Sequence, residues 1–159
     1  MPEVAVGGIQ LHYVERPGTG ESIVFAHGHH GTHHAWDDLI AALQAPYRAL
    51  AFDLRGCGGS DRPADGFTST DYAGDLMRAA DALALPPFSL VGYSLGGVAA
   101  VQAALDRPGR IRRLVLGGRG RAGRNPARAA AARASTRSAR TAPSGVGEHD
   151  GATAERGAG

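Results

Sequence analysis

A cluster of histidines is the first group of residues that could do chemistry. The stretch FAHGHHGTHHAW at residues 25–36 holds five of the seven histidines in the chain. The pairs whose i, i+4 spacing would let a helix present two imidazoles to a zinc ion are His29/His33 and His30/His34. Gly28 and Gly31 disfavour a helix in this stretch, and no H-E-x-x-H arrangement is present. We therefore predict no metal site and no cofactor, with a zinc-carrying loop as the alternative.

A serine between two glycines is the second such group. In LVGYSLGG, Gly92, Ser94 and Gly96 form the pattern G-x-S-x-G between an apolar run and a helical pattern. In that context the pattern is typical of a nucleophile elbow, a sharp strand-to-helix turn that exposes the serine hydroxyl. The glycines let the helix pass close to the strand, and the helix N-terminus favours developing negative charge. The alternative is an ordinary turn in which serine caps the helix.

The segments around these residues alternate between strand and helix patterns. Short runs rich in apolar residues predict strands at 4–6, 9–15, 22–26, 48–53, 88–93 and 111–116. Helices are predicted from the apolar spacing of Trp36, Leu39, Ile40 and Leu43, over about 70–84 with Ser69 or Thr70 as N-cap, and over 94–106. Gly7-Gly8 predicts a hairpin at the start. The sequence thus predicts an α/β fold, with a mostly parallel sheet and helices on both faces.

Three blocks of sequence together carry a family resemblance. HGHHGTHHAW, FDLRGCGGSDRP and GYSLGG follow one another in the expected strand contexts. On these blocks the chain, over roughly residues 3–116, resembles the α/β-hydrolase superfamily, in the branch of serine esterases, lactonases and epoxide-hydrolase-like members. The resemblance implies a hydrolase that attacks ester-like bonds through Ser94. Haloalkane dehalogenases and true epoxide hydrolases use a carboxylate nucleophile, so the serine argues against them.

The resemblance also implies roles for individual residues. The backbone amides of His29 and Leu95 would form the oxyanion hole, which stabilises the negative charge of a tetrahedral intermediate. Gly92 and Gly96 would shape the elbow. The residues implied to be structural, in the loops after two neighbouring strands, are His27, Gly28, Asp53 and Arg55.

The last part of the chain differs sharply from the first. Residues 117–159 contain one large apolar residue, Val146, among mostly Ala, Arg and Gly. Such a segment cannot bury enough apolar surface to fold, so we predict a disordered tail after a truncated hydrolase core at 1–116. No catalytic acid or histidine base is found, because the adjacent Glu148, His149 and Asp150 lack a scaffold that would position them. The activity of the chain is therefore predicted to be weak or absent.

Charge and composition limit the partners. Residues 1–116 carry 9 Arg against 12 Asp and Glu, whereas 117–159 carry 8 Arg against 3. The alternative function is a non-catalytic protein whose basic tail binds nucleic acid, but that tail has no aromatic residue for base stacking. A single cysteine and the absence of long apolar runs favour a cytoplasmic protein without a membrane partner. We expect a small ester-like molecule as substrate; the oligomeric state stays open.

Overall fold

A computed structural model describes residues 2–44 and 46–118 of the 159-residue chain. The strands are β1 Glu3–Val6, β2 Ile9–Arg16, β3 Ser22–Ala26, β4 Arg48–Phe52, β5 Phe88–Tyr93 and β6 Ile111–Gly117. The helices are α1 Asp37–Ala42, α2 Ser69–Ala82 and α3 Leu95–Asp106, with 3₁₀ turns at His33–Trp36 and Pro108–Arg110. The predicted tail lies almost wholly outside the described residues, so its disorder and the boundary at residue 116 stay predictions.

The six strands form one mixed sheet in the order β1-β2-β4-β3-β5-β6. The first two are joined by the predicted hairpin, in which Gly7 and Gly8 have φ angles of 61° and 94° that favour glycine. β2 then pairs antiparallel with β4, and the remaining pairs β4–β3, β3–β5 and β5–β6 are parallel. The prediction of a mostly parallel sheet with an antiparallel start is confirmed.

Helices cover both faces of this sheet, as predicted. Because successive strand residues point to opposite faces, Val24 and Phe25 of β3 enter two separate apolar clusters. Val24 belongs to the larger cluster, which includes buried residues of α2 and α3. Phe25 packs in the smaller cluster with Trp36 and Ile40, from the 3₁₀ turn and α1. β3 is therefore buried on both sides, as its unbroken apolar run indicated.

Two predicted helix ends were wrong for identifiable reasons. The N-cap of α2 is Thr68, not Ser69 or Thr70: its hydroxyl accepts from the Asp71 amide while the Asp71 carboxylate accepts from the Thr68 amide. At the other end, Ala84 adopts a φ of 49° and the chain leaves the helix two residues earlier than predicted. The apolar spacing of the sequence indicates neither feature, because both depend on individual backbone hydrogen bonds.

Candidate active site

Ser94 occupies a strained turn between β5 and α3. Its φ of 51° and ψ of −111° lie outside the regions that residues with a side chain normally adopt, at a cost of about 1–3 kcal/mol. The residue is exposed to solvent. A Cβ at Gly92 would overlap the Gly96 carbonyl, and a Cβ at Gly96 would overlap the Ala26 carbonyl. The two glycines therefore allow the close approach of strand and helix that the G-x-S-x-G pattern predicted.

Three backbone hydrogen bonds hold this turn. The Ser94 amide donates to the Gly117 carbonyl at 3.2 Å, at the end of β6. The Gly96 amide donates to the His27 carbonyl at 3.0 Å, just after β3. The Val98 amide donates to the Ser94 carbonyl at 3.0 Å and closes the first turn of α3. The strained geometry is thus fixed by the ends of the two strands that flank β5.

The loop after β3 lies against this turn. A Cβ at Gly28 would sit 2.8 Å from Tyr93 Cδ1 and 3.3 Å from Ser94 Cβ, so only glycine lets the loop come this close. His29 and His30 follow with exposed side chains, their ring centroids 3.8 Å apart. Across residues 2–44 and 46–118, the backbone amides of His29 and Leu95 have no hydrogen-bond acceptor. One unpaired amide donor thus follows the exposed serine directly in sequence, and the other follows Gly28, which packs against it.

His27 is buried and uses both ring nitrogens within the protein. Its Nε2 accepts the Leu54 amide at 3.0 Å, so Nδ1 carries the proton and donates to the Gly28 carbonyl at 2.7 Å. Burial lowers the pKa of His27, which keeps the ring neutral in this arrangement. With both nitrogens engaged, His27 connects the loops after β3 and β4 and has no lone pair left for proton transfer.

Asp53 lies immediately after β4 and is 1% exposed. Its Oδ1 accepts from the His33 amide at 2.6 Å and from His33 Nδ1 at 3.0 Å. Its Oδ2 accepts from His12 Nδ1 and from the Gly59 amide, each at 2.9 Å. Burial alone would raise the pKa of Asp53, but these hydrogen bonds lower it below its ordinary value of 3.8.

Arg55 fixes the next part of the same loop. Its Nε and Nη2 donate to the two carboxylate oxygens of Asp75 in α2, at 2.6 and 2.7 Å. Its Nη1 donates to the Gly66 carbonyl at 2.5 Å. The hydrogen bond to Asp75 raises the pKa of Arg55 further above its ordinary range. The loop after β4 is thereby joined to α2 by a bidentate ion pair.

Sequence analysis missed two of the buried partners, His12 and Asp75. Both are polar residues within segments that were assigned as strand or helix from their apolar spacing. A polar residue inside such a segment is the signal that could have singled them out. His12 meets Asp53 because β2 pairs with β4 in the register Tyr13↔Phe52, which places His12 opposite the residue that follows β4. Neither a strand register nor the packing of α2 against the loop that carries Arg55 can be read from one sequence, so neither contact was predicted.

The histidine pairs weighed as zinc ligands do not come together as a metal-binding group in the described part of the chain. His33 turns inward to Asp53, whereas His29, His30 and His34 are exposed. Of the described residues, the group that could hold a metal is His12, His33 and Asp53, whose ligand atoms all lie within 4.8 Å of one another. As Gly28 and Gly31 indicated, this stretch is not a continuous helix: its helical part is a single 3₁₀ turn at His33–Trp36.

A general base for Ser94 is not evident in residues 2–44 and 46–118. The Ser94 hydroxyl makes no hydrogen bond there, and the buried histidines face Asp53 or Leu54. Glu148, His149 and Asp150 lie outside the described residues. The arrangement presents an exposed hydroxyl and two free amides, without a base among the described side chains.

A comparison with protein families identifies the chain. Residues 21–135 match the family model described as alpha/beta hydrolase fold. This protein is a member of the α/β-hydrolase family. The resemblance carried by the three sequence blocks is thereby confirmed, and so is the fold class.

Individual relatives of this α/β hydrolase are named as hydrolases. It is 40% identical over 109 residues to a putative carbamate hydrolase RutD of Variovorax paradoxus, covering 67% of this chain and 41% of that protein. It is 40% identical over 113 residues to an epoxide hydrolase of Caballeronia sordidicola, covering 69% and 34%. The chain thus spans well under half the length of either relative.

Solved structures of hydrolases are also similar to this chain. The enol-lactonase from Burkholderia xenovorans superposes with a TM-score of 0.68 at 31% identity, over 71% of this chain and 45% of that one. The epoxide hydrolase VrEH1 from Vigna radiata superposes with a TM-score of 0.71 at 32% identity, over 79% of this chain and 41% of that one.

No helix of this α/β hydrolase, within the described ranges, is long and apolar enough to cross a membrane. The cytoplasmic location stays a prediction.

Proposed function

We propose that this chain carries the nucleophile of a serine hydrolase that acts on small molecules with ester-like bonds. The observation that carries the proposal is the backbone of Ser94: a non-glycine residue at φ 51°, exposed, at the tight junction of β5 and α3. A protein keeps such strain mainly where it aims a functional group. An ordinary helix-capping serine would have extended backbone angles and a hydroxyl bonded to the first turn, and Ser94 has neither.

The proposed reaction is attack of Ser94 Oγ on a carbonyl carbon. The developing oxyanion would accept hydrogen bonds from the amides of His29 and Leu95. Both amides lack an acceptor among the described residues, and Leu95 is the first residue of α3, where the helix dipole favours negative charge. Such donors each contribute about 3–4 kcal/mol of transition-state stabilisation in serine hydrolases. Water would then release the acyl group.

The substrate class follows from the nucleophile. A carbamate and an enol-lactone, named for two of the relatives, both present an acyl carbon that a serine can attack. Epoxide hydrolases are also among the relatives, but the branch that opens epoxides uses a carboxylate where this chain has Ser94. We therefore place the substrate among esters, lactones, carbamates and related acyl compounds.

Turnover by this chain alone is proposed to be slow. General base catalysis contributes about 10²–10⁴-fold, and no described histidine contacts the Ser94 hydroxyl. Acylation without a base relies on the elbow and the two amides. External imidazole, which is small enough to reach an exposed serine, should then supply the proton acceptor that the described residues lack.

The test is hydrolysis of nitrophenyl acetate by the chain of 159 residues, with and without imidazole. We expect a slow rate above that of Ser94→Ala, and an increase of that difference with imidazole. Ser69→Ala, which removes a hydroxyl at the start of α2, should match the unmutated chain. Equal rates for the unmutated chain and Ser94→Ala under both conditions would remove Ser94 as nucleophile. Fast turnover lost in His149→Gln would show that a base lies beyond the described residues.

A further inference from the structure

Two buried histidines converge on one buried carboxylate. His12 comes from β2, His33 from the 3₁₀ turn after β3, and Asp53 from the end of β4. They are 6%, 7% and 1% exposed. Each histidine points its Nδ1 at a different oxygen of Asp53, at 2.9 and 3.0 Å, and the two rings lie 5.1 Å apart. The proposed hydrolase mechanism uses none of these side chains.

The spacing of these atoms is close to that of a metal site. Zinc binds imidazole nitrogen at about 2.0–2.1 Å and carboxylate oxygen at about 2.0–2.2 Å, so neighbouring ligand atoms of a tetrahedral site stand about 3.3–3.5 Å apart. The two nitrogen–oxygen distances, 2.9 and 3.0 Å, are about 0.4 Å shorter than that spacing, as expected of hydrogen bonds. All three ligand atoms lie within 4.8 Å of one another, so shifts of roughly 1 Å bring them to tetrahedral spacing around one centre.

The surroundings of Asp53 also resemble the outer shell of a metal site. The amides of His33 and Gly59 each donate to one carboxylate oxygen, at 2.6 and 2.9 Å. These bonds orient the carboxylate and keep it ionised, and they need not change when an ion replaces the imidazole protons. A side chain at Gly58 would overlap the carboxylate, and one at Gly59 would stand 3.0 Å from the His12 ring. The loop after β4 is shaped to enclose the cluster.

We propose that His12, His33 and Asp53 form a binding site for a divalent transition-metal ion of the zinc type. Two imidazole nitrogens and one carboxylate oxygen suit zinc, cobalt or nickel, whereas magnesium and calcium prefer oxygen ligands alone. Binding requires that the proton on each Nδ1 moves elsewhere, so that a nitrogen lone pair faces the ion. The ion would join β2, the end of β4 and the histidine-rich loop. The proposal does not depend on the role of Ser94.

The test uses the complete chain, freed of metal by a chelator and titrated with Co²⁺ and then with Zn²⁺. We expect about one Co²⁺ per chain with the intense visible absorption of a four- or five-coordinate site, displaced by Zn²⁺. Zn²⁺ should raise the melting temperature of the unmutated chain, because an ion that binds the folded state stabilises it. His33→Gln should lose both the absorption and the melting shift.

Two matched variants separate this site from adventitious binding. His30→Gln removes an exposed imidazole of the same loop, whose ring lies against that of His29. His149→Gln removes the one histidine outside the described residues. Both should bind Co²⁺ as the unmutated chain does. Stoichiometric binding that survives His33→Gln, or that disappears in either control, would overturn the proposal, and so would the absence of binding.

A second measurement tests the same proposal without a variant, in case His33→Gln fails to fold. In the unmutated chain with ¹⁵N-labelled histidine, Zn²⁺ should shift the ring nitrogen signals of two histidines, and these should be the slowly exchanging, buried ones. Shifts confined to the signals of exposed histidines would contradict the assignment. This readout needs no variant and no activity.

Discussion

The close contact between α3 and the end of β3 makes Gly96→Ala the sharpest structural perturbation. A Cβ at Gly96 would stand 2.5 Å from both the Ala26 carbonyl carbon and the His27 carbonyl oxygen. Real Cβ atoms essentially never come within 3.0 Å of such neighbours, and the Ala26 carbonyl oxygen stands closer still, so the backbone must move by roughly 1 Å. No side chain can swing away, because the obstructing atoms belong to the main chain of a buried strand end. Overpacking costs about 1–3 kcal/mol, and weakening the Gly96–His27 hydrogen bond adds about 1 kcal/mol.

Gly97→Ala is the matched control for this change. The nearest atom to a Cβ there is the Gly92 carbonyl oxygen at 3.4 Å, an ordinary contact, and alanine favours the helix by about 0.5–1 kcal/mol. With an m-value of about 2 kcal/mol/M, the urea midpoint should fall by roughly 1–2 M in Gly96→Ala and stay or rise slightly in Gly97→Ala. Equal midpoints for the two variants, at unchanged m-value, would refute the close packing on which the elbow depends.

Three further predictions concern the elements that hold the site. Thr68→Ala should lower the unfolding free energy by about 0.5–2 kcal/mol in urea melts, because it removes the cap of α2, while Thr70→Ala should change it much less. Asp75→Ala should cost about 3–5 kcal/mol, because it leaves a largely buried arginine unpaired, whereas Asp81→Ala, at an exposed ion pair, should cost about 1 kcal/mol or less; equal losses would contradict this. Because the pKa of Asp53 is lowered on folding, the ionised carboxylate stabilises the folded state. This stabilisation is complete above the ordinary pKa of 3.8 and is lost as the pH falls through the lower pKa of the folded protein. Thermal melts at a series of pH values should therefore show a smaller loss of stability in acid for Asp53→Asn than for the unmutated chain.

Much of the fold could be predicted because its signals are local. The unbroken apolar run at β3 indicated a strand buried on both faces, and Gly7-Gly8 indicated the hairpin; the structure has both. Ser94 could be singled out because the elbow places two glycines at fixed offsets from the serine. A local pattern is enough where neighbouring residues along the chain determine the geometry.

The contacts around Asp53 could not be predicted, for a physical reason. They join β2, β4 and the histidine-rich loop, and such long-range contacts depend on strand register and loop path. The histidine-rich stretch shows the consequence: helical spacing pairs His29 with His33, but the backbone between them is not helical. His33 faces a carboxylate twenty residues away in sequence. The types of these residues are known from the sequence, but the residues that they contact are not.

Covalent labelling of Ser94 tests the central claim most directly. The complete chain would be treated with a fluorophosphonate, with imidazole present as an external base, and analysed by intact mass and peptide mapping. We predict a single adduct on the peptide that contains Ser94, absent from Ser94→Ala and present in Ser69→Ala. No adduct, or an adduct that persists in Ser94→Ala, would contradict the assignment of Ser94 as the nucleophile.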